Sequence, residues 1–148
     1  MTERISTSAW RNASESEKAR ILQRVVKRRP VQREHFQQVE LFCWARREAR
    51  RLPELNLLFA IPNAGKRTKS AGGKLKAEGM RAGVPDLCLP VPRGQYHGLY
   101  IELKVEGGRP TESQKQWLND LAAQGYCACL CVGWEEAKST IENYLEAK

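Results

Sequence analysis

Gly83-Val84-Pro85-Asp86-Leu87-Cys88-Leu89 and Gly98-Leu99-Tyr100-Ile101-Glu102-Leu103-Lys104-Val105 are the two stretches on which the fold turns. A strand repeats every two residues, so the second stretch places Leu99, Ile101, Leu103 and Val105 on one face and Tyr100, Glu102 and Lys104 on the other. Asp86 opens the first apolar run, and the Pro- and Gly-containing residues 90–98 have the composition of a connection between antiparallel strands. Such a hairpin brings Asp86 beside Glu102 or Lys104. Two carboxylates meeting there suit a divalent cation, with an ammonium facing the water that the cation activates. Between residues 82 and 105 there are only two acids, and both belong to this set. Spacing alone is equally compatible with a surface Glu–Lys pair on an edge strand and with Asp86 as a turn residue after Pro85.

Outward from the hairpin, the chain alternates helical and strand patterns. Ser14-Glu15-Ser16-Glu17 can cap a basic helix running to about Arg28, which Pro30 stops. A second helix starts near Arg33 or Glu34 and runs to about Leu52, ended by Pro53, with Phe36, Val39, Phe42 and Cys43 on its apolar stripe. Glu34, Gln38, Leu41 and Ala45 share a neighbouring stripe. Residues 57–61 are too short for a helix between breakers and predict a buried strand, followed by a loop over 62–67 and a short helix over 72–78. Thr111 to Ala123 is a helix opened by a capping box, Tyr126 to Val132 a strand, and Glu135 to about Glu146 the last helix. The order helix, strand, helix, hairpin, helix, strand, helix predicts an α/β fold, a mixed sheet flanked by helices.

At 148 residues this is one domain, residues 34–148, preceded by a basic, partly helical extension over residues 1–33. No apolar run reaches membrane-spanning length, and the N-terminus lacks a signal-peptide pattern, which predicts a soluble protein of the cytoplasm with no membrane partner. Cys127, Cys129 and Cys131 alternate along one strand without zinc-knuckle spacing and are expected as buried free thiols. His35 and His97 form no metal pair, and the four tryptophans are expected in the core or at an interface. The formal charge is +8, unevenly spread: residues 1–35 hold nine Lys or Arg against four acids, and residues 66–81 hold six against one. That distribution favours a polyanionic partner, while net charge alone is equally compatible with a solvated face that aids solubility.

Taken in order, the pieces resemble a known family. Pro85-Asp86 with Glu102-Leu103-Lys104 is similar to the PD-(D/E)xK nuclease signature. The fuller text resembles its VRR-NUC branch: Glu34-His35-x-x-Gln38, Leu41-Phe42-x-Trp44, and residues 59–67 reading Phe-Ala-Ile-Pro-Asn-x-Gly-Lys-Arg. Leu75 to Gly79, Gly83 to Asp86, Gly98 to Lys104, Gln114-Lys115-x-Trp117 and Gly125-Tyr126 continue it. Ala64 stands where the family often has a second glycine, and the residues before Glu34 have no counterpart in the pattern. The resemblance implies a restriction-endonuclease-like core that hydrolyses phosphodiester bonds with Mg²⁺ or Mn²⁺. Asp86 and Glu102 would be metal ligands, with the Leu103 carbonyl as a further ligand and Glu34 completing the shell; Glu40 on the same helix is the fallback. Lys104 would orient and help deprotonate the attacking water, and Gln114, the post-motif glutamine, would hold Lys104 or a phosphate. Asn63, Lys66, Arg67, Lys69, Lys74 and Lys76, with Gln38, would contact DNA. Stand-alone members resemble phage-type proteins, some of them dimeric Holliday-junction resolvases, which makes branched or structured DNA the expected partner and is compatible with a homodimer, for which the sequence shows no diagnostic interface stripe. The competing reading is a non-catalytic DNA-binding module that keeps the fold. A sequence-preferring restriction-type enzyme is weaker, because nothing resembles a base-reading helix.

Overall fold

The computed structural model describes residues 14, 16, 30–62 and 69–147. The chain divides into two compact units, Met1–Arg33 and Glu34–Lys148, and the sheet lies in the second. The helix expected over 14–28 lies, apart from Ser14 and Ser16, outside the described residues.

The sheet is built around the hairpin. Strands β1 (Phe59–Ala60), β2 (Leu87–Leu89), β3 (Leu99–Lys104) and β4 (Cys127–Val132) lie side by side in that order. β2 and β3 pair antiparallel in the register Leu87↔Ile101, Cys88↔Tyr100 and Leu89↔Leu99. β4 runs parallel to β3, from Leu99↔Cys127 to Lys104↔Val132. A parallel return needs a crossover, here made by a helix (Glu112–Ala123) between the two strands. With α1 (Pro30–Glu48), α2 (Lys69–Ala77), this crossover helix α3, and α4 (Trp134–Glu146), the fold is a mixed four-stranded sheet flanked by helices, as the sequence predicts.

Burial gives the sheet its register. Leu99, Ile101 and Leu103 of β3 join Leu87 and Leu89 of β2, Cys131 of β4, Leu41, Trp44 and Ala45 of α1, and Ala137, Ile141 and Tyr144 of α4 in one core. Glu102 and Lys104 on the other face of β3 are buried too. A slip of one residue would exchange Glu102 for an aliphatic neighbour against that core, so the pairing is strongly specified. The Tyr144 hydroxyl donates to Val91 O at 2.6 Å and Arg93 Nε to Leu145 O at 3.1 Å, tying the hairpin connection to α4.

Several boundaries differ from expectation. α1 is described from Pro30, ahead of the start expected near Arg33 or Glu34; proline suits a first turn, where its missing N–H would have no partner in any case. α1 ends at Glu48, four residues before Leu52: Leu52, preceding Pro53, is pushed out of helical geometry (φ −125°, ψ 83°). Leu52 N–H instead donates to Glu48 O at 2.9 Å, and Pro53–Leu57 forms a 3-10 turn. The stripe of Phe36 and Val39 is not the buried one. Phe36 is 57% exposed, and Leu41, Trp44 and Ala45 face the core. The strand expected over 57–61 contracts to Phe59–Ala60 at the edge of the sheet, with Phe59 exposed instead of buried. All five cysteines are free; Cys88 and Cys131 are buried and the other three half-buried.

Candidate active site

The hairpin register extends by one step to set Asp86 opposite Glu102. Asp86 Oδ2 accepts the Leu103 N–H at 2.9 Å, which locks the carboxylate across the strand. Glu102 Oε1 accepts from Lys104 Nζ at 2.6 Å, two residues along the same strand face. From α1, Glu34 Oε1 lies 3.7 Å from the same ammonium. From α3, the Gln114 side-chain amide donates to Glu102 Oε1.

Gln114 is held in that pose by the start of its own helix. Thr111 is the N-cap: its hydroxyl accepts from Gln114 N at 3.3 Å, and the Gln114 side-chain oxygen accepts from Thr111 N at 2.8 Å. With the oxygen committed to the cap, the amide nitrogen turns to Glu102. Gly83 lets the two elements approach. It adopts φ +85°, and a Cβ there would stand 2.7 Å from the Ser113 carbonyl carbon, so only glycine fits between the Asp86 segment and the start of α3.

Charge is crowded in this space. Glu102 is fully buried, and its Oε2 has no hydrogen-bond partner among the described residues. Burial pushes its carboxyl up to about 7, against the hydrogen bond from Lys104 and with the charges of Asp86 and Glu34 adding to the rise. Burial would also lower Lys104, but the hydrogen bond to Glu102 and the charges of Glu102, Glu34 and Asp86 outweigh it and hold the ammonium above its ordinary value. Three carboxylates face one ammonium. A hard cation between Asp86 and the open oxygen of Glu102 would offset the surplus, and two carboxylate oxygens are the donors Mg²⁺ prefers.

The sequence profile of the VRR-NUC domain family matches residues 16–135. The chain belongs to the VRR-NUC domain family. A solved structure of a "VRR_NUC domain protein" is 33% identical, superposes with a TM-score of 0.65, and the match covers 76% of this chain and 87% of that one. No protein with a curated description matches. The family is one of nucleases, so its membership carries a nuclease-type, DNA-related function. The matched region reaches upstream of Glu34, so part of the N-terminal extension does have a counterpart in the family.

Within this VRR-NUC domain the residues singled out in the sequence fall into three groups. Asp86, Glu102, Lys104, Glu34 and Gln114 converge. Gln114 holds Glu102 instead of Lys104, and Glu34 reaches the site through Lys104. The three carboxylates do not close into a cage: among the described residues no group of three or more His, Cys, Asp or Glu side chains is placed to hold a metal ion. The reason is the position of Glu34 near the start of α1, which meets the end of β3 at Lys104. Gln38 is half-buried one turn further along α1, and Glu40 is half-buried as well. Lys74 and Lys76 are exposed in the last turn of α2, Lys74 within 3.9 Å of Glu78, and Lys69 begins that helix. Asn63, Lys66 and Arg67 lie outside the described residues. His97 packs edge-on against Tyr126 at 5.7 Å, a structural contact.

One positioning residue escaped the sequence reading. Gln37, next to the expected Gln38, accepts the Trp134 N–H at 2.7 Å and joins α1 to α4. Helical spacing does not say which of two adjacent glutamines faces a neighbour. The Thr111–Gln114 capping box is legible in the sequence, but its link to Glu102 is not. No helix among the described residues is long and apolar enough to cross a membrane.

Proposed function

We propose that this VRR-NUC domain is a metal-dependent DNA endonuclease that hydrolyses phosphodiester bonds in branched or otherwise structured DNA. The observation that carries the reading is the buried Glu102 Oε2, without a hydrogen-bond partner among the described residues, on the strand opposite Asp86, with the Lys104 ammonium 2.6 Å from the same carboxylate. In this reading Asp86 and Glu102 hold Mg²⁺ or Mn²⁺, with the Leu103 carbonyl as a further oxygen donor. When bound, such an ion acidifies water and stabilises the charge that develops on phosphate.

The chain's own residues do the rest. Lys104 orients the attacking water; with the neighbouring carboxylates offset, its ammonium releases a proton to solvent and the neutral amine then accepts the proton of the water. Glu34 steadies Lys104 from α1, and Gln114 keeps Glu102 aimed across the hairpin. Lys69, Lys74 and Lys76, with Asn63, Lys66 and Arg67, contact phosphate, which positions DNA without reading its sequence. A homodimer would present two such sites to a symmetric junction. A non-catalytic DNA-binding module is the competing reading. Buried carboxylates next to phosphate would repel it unless a cation stands between them, which favours the enzyme.

The test is cleavage of end-labelled single-stranded, duplex, flap and four-way-junction DNA with Mg²⁺, Mn²⁺ or EDTA, by wild type beside Asp86→Ala. Metal-dependent cutting that the substitution removes supports the nuclease. Binding of these DNAs with no cutting of any would replace it by the binding module.

A further inference from the structure

A second feature lies against the candidate active site and has no part in the chemistry above. A groove of about 580 Å³ is lined by Ile61, Leu75, Met80, Val84 and Trp117, together with one acid and one base, Glu78 and Arg81. Its walls are predominantly apolar, and its size is that of sites that take small planar ligands. It adjoins the site by the chain itself: Val84 is two residues before Asp86, and Ile61 N–H donates to Asp86 O at 2.8 Å. Trp117 Nε1 donates to Ala82 O at 3.1 Å, so the indole is tethered to the loop that leads to Asp86.

We propose that this groove binds an unpaired nucleobase of the DNA beside the bond to be cut. The proposal rests on the nuclease reading and names the part of the substrate that the domain would recognise. Three observations select a nucleobase over an apolar peptide side chain. The lining combines a tethered indole with a thioether and aliphatic groups, surfaces on which the flat face of any base packs without hydrogen-bond readout. The surroundings are cationic: Lys74, Lys76 and Arg81 are exposed, and residues 66–81 hold six Lys or Arg against one acid, Glu78. Those charges suit the phosphates on either side of a base held in the groove. The groove also adjoins Asp86, so a base seated in it would bring its own backbone towards the carboxylates. A fully stacked duplex offers no base to such a groove, whereas a flap, bulge or junction does. The preference for structured DNA then follows from packing, with no sequence-reading element.

The experiment measures binding of the full chain, with Ca²⁺ in place of Mg²⁺, to labelled DNA carrying a flap or single-nucleotide bulge. The same DNA is then used with abasic residues placed in turn at the unpaired positions. Wild type is expected to lose about 10-fold in affinity when one particular base is removed. Met80→Asp and Leu75→Ala are expected to bind the base-bearing DNA about 10-fold more weakly than wild type and the abasic DNA equally well. Thermal melts establish that each variant is folded, and Leu75→Met, which keeps the volume, should bind as wild type does. Wild type that binds the DNA but is indifferent to base loss at every position overturns the groove assignment and leaves the nuclease reading standing. Variants that weaken both DNAs equally overturn it in the same way. A groove that receives a second copy of the chain would show as altered sedimentation of the variants with both DNAs bound as by wild type, which also overturns it. Failure of wild type to bind any DNA would remove both readings together.

Discussion

Replacing Glu102 by glutamine should stabilise the metal-free protein at alkaline pH. The carboxyl is fully buried, one of its oxygens has no partner among the described residues, and its pKa is pushed from 4.5 up to about 7. An acid whose pKa rises on folding holds its proton more tightly in the folded chain. Its stabilising contribution is fully present below 4.5 and is lost as pH rises through about 7. At pH 8 the ionised folded form is therefore disfavoured by about 3 kcal/mol, at about 1.4 kcal/mol per pKa unit. Glutamine keeps the shape and an oxygen that can accept from Lys104 and Gln114, but carries no charge. Glu102→Gln should exceed wild type by about 3 kcal/mol at pH 8, roughly 6–12 °C in Tm for a chain of this length, and match it near pH 4. Circular-dichroism melts in EDTA across that range measure the gap. Mg²⁺ should raise the wild-type Tm at pH 8 and leave the variant unmoved. A variant that melts at or below wild type at pH 8, or a gap that does not depend on pH, would refute the reasoning.

Lys104→Ala should lower cleavage by about 100-fold or more while DNA binding, read by electrophoretic shift, is kept; undiminished cleavage would remove Lys104 from the chemistry. Gln114→Ala deletes both the return half of the capping box and a partner of Glu102, and should cost about 1–2 kcal/mol in urea unfolding together with slower cutting. Unchanged stability would show that the box carries no load. Gly83→Ala forces a side chain into a left-handed conformation against Ser113 and should destabilise by about 1–3 kcal/mol, with cleavage reduced because the segment entering Asp86 is displaced.

Much of the site is readable in the sequence because it is local. Period-two alternation along Leu99 to Lys104 puts Glu102 and Lys104 on one face, and the connection over residues 90–98 returns the chain so that Asp86 meets Glu102. Nine residues of loop and two short strands contain that information. The capping box is similarly local, since Thr111 and Gln114 are separated by a single turn. What lay beyond local reading was the side of each element that meets another. Helical period correctly grouped Phe36 with Val39 and Leu41 with Ala45, but not which group faces the sheet.

The strand alternation, the hairpin and the helix cap, together with the reserve of basic charge, follow from neighbours in the chain, because backbone periodicity and turn chemistry act over a few residues. The full burial of Glu102, the approach of Glu34 to Lys104 and the bond from Gln114 join residues 12 to 70 positions apart. Those contacts arise when α3 crosses from β3 to β4 and α1 packs on the opposite face. A buried carboxylate with one oxygen unpartnered among the described residues is therefore a property of the assembled fold: its energy depends on what has displaced water around it, which no spacing along the chain records.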